Sequence, residues 1–233
     1  DDPNLRGDCV LSFFTSDLHG SVDRYRTLLS RAAEERPDAV FLGGDLLPPA
    51  GLASLAGGGG FEDFLSDFIE PEFEALRRKL GDDYPTVFLI LGNDDPRAEE
   101  PSVIRIGASG LWQYVHERRA RLGAHAVYGY ANVPPTPFLL KDWERYDVSR
   151  YVDPGAVSPE GGRRSVPLPQ REARHATIRE DLERLAGGDD VSRAIFLFHS
   201  PPYRTKLDRA ALDGRFVDHV PLELGRVVGH VVD

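Results

Sequence analysis

Residues 15–20 read TSDLHG and follow the apolar run VLSFF at 10–14. A carboxylate at Asp17 and an imidazole at His19, two positions apart, are both good ligands for a divalent cation. In an extended backbone side chains at i and i+2 share a face, so the pair is expected to project together from a strand end and grip one ion. Three further polar residues close apolar runs in the same manner: Asp45 after DAVFLGG, Asn93 after TVFLILG and His199 after RAIFLF. Each alone has a bland alternative. Asp17 could cap a helix beginning near Ser21, Asp45 could fix the turn after Gly43-Gly44, and Asn93 could be an ordinary turn residue after Gly92. Joint recurrence of acid, imidazole and amide groups at strand ends points instead to one metal-binding rim.

The elements that must position these residues follow from the same runs. Segments 9–17, 38–45, 86–94 and 193–200 are short and rich in β-branched and aromatic residues, as strands buried on both faces are. Helical patterns at 21–35, 61–80 and 171–186 lie between them, so the fold class is α/β with a mainly parallel sheet. Ligands of open α/β sheets bind beyond the carboxyl ends of the strands, where all five polar residues fall. The stretch 111–133 alternates polar and apolar residues and predicts antiparallel hairpins. After it, 133–170 is proline-rich with little periodicity and reads as a long functional or mobile loop. GLASLAGGGG at 51–60 is a second flexible insert. No linker splits the chain, which is read as a single domain over 1–233.

The ordered set D-x-H at Asp17–His19, G-D at Gly44–Asp45, G-N-x-D at Gly92–Asp95 and a later strand-end His199 resembles the calcineurin-like metallophosphoesterases. The resemblance covers residues 9 to about 225. It implies a four-layer α-β-β-α sandwich and two divalent metal ions, manganese, iron or zinc. It further implies that Asp17 and His19 bind the first ion, that Asp45 bridges both, and that Asn93 and His199 bind the second. Two such ions clamp a phosphoryl group and activate a hydroxide for hydrolysis of a phosphomonoester or phosphodiester. VPPTPFLLKDWERYD at 133–147 and HSPPYRTKLD at 199–208 are similar to a bacterial subgroup of predicted phosphoesterases without assigned substrates.

Two departures from the family pattern stand out. Asp94 occupies the place where the family often has a histidine; it is the catalytic-acid candidate, although nearby dications would hold its carboxyl ionised. Asp95 is expected to orient the asparagine loop. The family's G-H-x-H has no full counterpart in GRVVGHVVD at 225–233. Gly229-His230 is a shortened form of that motif, or Val227, Val228, Val231 and Val232 form one face of a helix, in which case the sandwich is truncated by a strand and two ligands. These departures keep a rival reading alive, a non-catalytic binding or scaffold module with an incomplete metal site.

Composition bounds the remainder. The formal charge is −10, with 38 acidic against 28 basic side chains and no basic patch, so nucleic acid is not an expected partner and a small phosphate ester is the expected substrate. Cys9 is the single cysteine, which fits a reducing compartment. No run approaches the ~20 apolar residues of a membrane span, and DDPNLRGD lacks the features of a signal peptide. A cytoplasmic, soluble protein is expected; the oligomeric state is not legible. His116, His125 and His175 are assigned surface or packing roles. His219 is a weaker candidate for the substrate cleft, Arg204 and Lys206 are phosphate contacts or solvated cations, and Phe138 and Trp143 cover the site or anchor their loop.

Overall fold

The computed structural model describes residues 10–48 and 61–202, together with the backbone of 209–212 and 215–218. All four expected runs form strands. β1 (Ser12–Thr15), β2 (Ala39–Gly43), β3 (Thr86–Ile90) and β4 (Gln113–Tyr114) make a parallel sheet in that order. All five residues of β2 are buried, as continuous apolar strands covered on both faces must be.

The second sheet contains the expected hairpin. β5 (Arg118–Leu122) pairs antiparallel with β6 (His125–Tyr130), and β7 (Ile195–Phe198) runs parallel to β6. β8 (Arg209–Leu212) and β9 (Arg215–Asp218) form a separate antiparallel pair. β2 meets β7 and β3 meets β6, so the two sheets face one another and share one apolar core. The expectation of four ligand-bearing strands in one sheet is therefore corrected: β7, which carries His199, belongs to the facing sheet. Periodicity reports that a strand is buried, not which partner it pairs with.

α1 (Val22–Glu35) begins where Ser21 accepts the Arg24 amide and buries Tyr25, Leu29 and Ala32 on one face. The pattern at 61–80 becomes a π-helical turn at Leu65–Ile69 that runs into α2 (Glu70–Leu80), with Pro71 tolerated in the first turn. α3 (Glu100–Gly107) was not anticipated; Val103 and Ile106 bury its inner face, but eight residues give too little pattern to read. The helix expected over 171–186 divides into α4 (Gln170–His175) and α5 (Ile178–Ala186), because the Thr177 side chain accepts the Glu180 amide and starts a new helix. Among the described residues no helix is long and apolar enough to cross a membrane.

Candidate metal centre

β1 ends at Thr15, so Asp17 and His19 do not project from a strand. Both have left-handed backbone, with φ of 57° and 47°, as does Asp45 at 54°. Such conformations are unfavourable for residues with a Cβ and need surrounding support. Here a backbone ladder supplies it: Asp17 N donates to Gly44 O at 3.0 Å, His19 N to Asp45 O at 2.8 Å and Gly20 N to Leu46 O at 2.9 Å. The expected convergence is present, but two interlocked turns produce it rather than strand alternation. Arg24 Nη1 donates to Asp17 O at 2.7 Å, and Tyr25 Oη donates to Leu46 O at 3.0 Å, so α1 fastens both turns.

Ligand atoms of Asp17, His19 and Asp45 all lie within 4.8 Å of one another. His19 Nε2 is 3.9 Å from Asp17 Oδ1 and 4.0 Å from Asp45 Oδ2. The other oxygen of Asp45, Oδ1, lies 3.4 Å from His199 Nε2, which in turn is 3.0 Å from Asn93 Oδ1. Asp45 thus turns one oxygen towards each histidine, and the other four residues named from the sequence gather around its carboxylate. Asp94 borders the same space, with Oδ2 3.9 Å from His19 Nδ1 and Oδ1 accepting from Asn93 Nδ2 at 2.9 Å. Its carboxyl pKa is raised by burial and then by the charge of Asp45.

The close approach explains the glycines of both motifs. A Cβ on Gly92 would strike Asp45 and come within 2.6 Å of His199 Cε1, while one on Gly44, at φ 99°, would come within 2.6 Å of His199 Nδ1. Beneath them Asp95, wholly buried, accepts Leu46 N at 3.1 Å, Leu47 N at 2.8 Å and Gly92 N at 2.8 Å. One carboxylate therefore ties the aspartate turn to the asparagine turn, as expected of Asp95. Burial first, and then the charge of Asp45, push its pKa up to about 7.

The donor chemistry fits a cation. His199 Nδ1 faces Gly43 O at 2.8 Å and must donate to it, which leaves Nε2 directed at two oxygens, Asn93 Oδ1 and Asp45 Oδ1. Three lone-pair atoms crowded together need a positive charge among them. A proton fills that need in the metal-free protein: burial opposes it, but the hydrogen bond to Asp45 and its charge prevail and raise the His199 pKa to about 9. The Asp45 carboxyl is correspondingly lowered, since burial, which raises it, is outweighed by His199 and the Asp94 amide. His19 Nδ1 is buried with no hydrogen-bond partner among the described residues.

A family model, calcineurin-like phosphoesterase, matches residues 13–231. The chain belongs to that family. Its facing parallel and mixed sheets are the metallophosphoesterase fold, and metal-dependent phosphoester chemistry is the family's general activity. One solved crystal structure aligns at 15% identity with a TM-score of 0.50, covering 91% of this chain and 77% of its own. A Thermus thermophilus protein, TT1561, aligns at 19% identity and TM-score 0.48, covering 85% and 72%. No curated protein matches.

The remaining candidates divide clearly in this metallophosphoesterase. His116 is buried, its Nδ1 accepting Ala131 N at 3.0 Å, and burial drives its pKa down to about 3. His125 Nδ1 meets Arg193 O at 2.8 Å on the surface, and His175 closes α4. Phe138 is exposed and Trp143 is wholly buried, so Trp143 anchors its loop. Arg204, Lys206, His219, Gly229 and His230 lie outside the described residues. Sequence reading passed over Asp142, whose buried carboxylate accepts Arg97 N and Ser165 N at 2.8 and 2.9 Å; its signal was the acid–tryptophan–acid cluster at 142–144.

Proposed function

We propose that this chain hydrolyses a small phosphomonoester or phosphodiester with two divalent metal ions. Asp17, His19 and Asp45 hold the first, and Asp45, Asn93 and His199 the second. Manganese, iron and zinc all suit a mixed carboxylate, imidazole and amide set. The observation that carries this reading is the division of Asp45 between its two histidines, with Oδ2 4.0 Å from His19 and Oδ1 3.4 Å from His199. Bound there, two cations supply Lewis acidity towards the phosphoryl oxygens and lower the pKa of water.

The protein's own part is positional. Gly43 O fixes the His199 ring so that Nε2 faces inward, and Asp94 Oδ1 holds the Asn93 amide so that its oxygen does the same. The Asp94 backbone N–H donates to Asp45 Oδ1 at 2.9 Å and sets the carboxylate plane. The Asp94 side chain, about a third exposed beside His19, is the group available to protonate a leaving oxygen, and cations bound at the neighbouring ligands would hold its carboxyl ionised and make it a poor acid.

Metal analysis and turnover test the proposal together. After manganese loading, two ions per chain are expected, and Asp45→Asn should abolish hydrolysis of an aryl phosphate ester with the fold retained. Fewer than one bound ion per chain would assign the protein to the scaffold reading instead. Unchanged turnover in Asp45→Asn would remove Asp45 from the centre.

A further inference from the structure

We infer that Trp143 is a positioning residue for the metal centre, acting through Asp95 from a loop that, among the described residues, makes no hydrogen bond or ion pair to the proposed ligands. The inference rests on the metal-dependent reading above. Trp143 Nε1 donates to the Asp95 backbone oxygen at 2.8 Å, and the neighbouring Asp142 accepts Arg97 N at 2.8 Å. Two consecutive residues of the loop therefore hold both ends of the short segment 95–97. From the other side of that segment, the Asp95 carboxylate gathers Leu46, Leu47 and Gly92. The path from the indole to the turns bearing Asp45 and Asn93 is a single residue long.

The loop is built to hold the indole still. Lys141 Nζ and Glu144 Oε2 form an ion pair at 2.5 Å with neither side chain exposed, and Lys141 also donates to Thr136 O at 2.8 Å. Glu144 accepts Thr136 N and Thr136 Oγ1 at 2.9 and 2.5 Å. Val133 N donates to Trp143 O, and residues 139–141 pair with Arg163. The Arg97 guanidinium lies 4.8 Å from the indole centroid, and His116 meets the ring edge-on at 5.0 Å. The tryptophan ring is thus packed against two groups of the scaffold. Groups bonded directly to metal ligands fix them in place, and removing one typically weakens metal binding about 10- to 100-fold; Trp143 stands one bond further out, so the lower end of that range is expected.

The test compares Trp143→Phe, which keeps an aromatic ring and deletes the N–H donor, with Trp112→Phe. Trp112 is also buried and donates to Val103 O at 3.0 Å, far from both metal turns in the hydrogen-bond network. Calorimetric titration of manganese into metal-stripped protein should show affinity lowered about tenfold in Trp143→Phe and unchanged in Trp112→Phe. Asp142→Asn, which weakens the hold on Arg97 N, should move affinity in the same direction and decides the matter if Trp143→Phe does not fold. Wild-type affinity in both Trp143→Phe and Asp142→Asn overturns the inference while leaving the metal-dependent reading in place. So does a Trp143→Phe protein whose melting temperature falls equally with and without manganese. A wild-type protein that takes up no manganese overturns both.

Discussion

His199 and Asp45 meet across the two sheets, Nε2 to Oδ1 at 3.4 Å, with the far nitrogen of the imidazole committed to the Gly43 carbonyl. A proton on Nε2 or a cation can join the two atoms. Proton and cation compete for one place, and the competition has a pH signature.

In the metal-free protein the His199 pKa lies near 9, above the ordinary ~6.5 of an unfolded histidine. The folded state therefore binds one more proton than the unfolded state between those values. Its stabilising effect is complete below about pH 6.5 and is lost as pH rises through 9, at about 1.4 kcal/mol per pH unit. Urea denaturation of chelator-treated protein from pH 6.5 to 9 should show that decline, and saturating manganese should abolish it. A flat profile in the metal-free protein would contradict the geometry.

His116 sets the opposite limb. Burial lowers its pKa to about 3, so between that value and ~6.5 the unfolded chain binds the extra proton. The His116 contribution is present above about pH 6.5 and falls with acidification at about 1.4 kcal/mol per unit, while Asp95, raised to about 7, contributes the opposite slope over about pH 4 to 7. His116→Asn, whose amide oxygen can still accept Ala131 N, should remove the His116 contribution, so that the stability difference between wild type and variant narrows by about 1.4 kcal/mol per unit from pH 6 to 4 while the alkaline limb is unaltered, as read by urea midpoints at pH 4, 5 and 6.

Gly92→Ala introduces a methyl group against Asp45 and His199, whereas Gly188→Ala meets nothing within 4 Å. The first should weaken manganese binding about 100-fold or eliminate it. The second should leave binding and stability unchanged. Equal affinities in the two variants would show that the turns are not packed as described.

Asp94 stands where the family commonly has histidine. Asp94→His should raise turnover of alkyl phosphate esters, whose leaving oxygen needs a proton, by at least about tenfold. Turnover of p-nitrophenyl esters, with their good leaving group, should change little. A parallel change on both substrates would separate Asp94 from leaving-group protonation.

The Lys141–Glu144 pair is fully buried, so breaking it strands a charge. Lys141→Met alone should cost about 3–5 kcal/mol, while Lys141→Met with Glu144→Gln should recover most of the loss. Equilibrium denaturation of the single and double variants checks this.

Much of the fold was visible in residue order. Four apolar runs became β1, β2, β3 and β7, and the alternating stretch at 111–133 became the β5–β6 hairpin, because both patterns are local consequences of burial. Assignment of β7 to the second sheet was not visible, since pairing is a choice among distant partners. Of the two readings of the proline-rich segment, functional or mobile, the mobile one is corrected. The segment is fixed by Lys141, Asp142, Trp143 and Glu144, each satisfied by contacts that lie up to 48 residues away in the chain. Absence of periodicity marks absence of regular structure, not absence of order.

The sequence by itself determined which groups are available: Asp17, His19, Asp45, Asn93 and His199, each closing an apolar run, with glycines where backbone must approach backbone. Only the tertiary structure decided how they converge. Left-handed turns at Asp17, His19 and Asp45 are held by a ladder between two chain segments, and Asp95 joins a third. Such conformations are locally unfavourable and exist only because the long-range hydrogen bonds outweigh them, so no local reading of the residues could have supplied them.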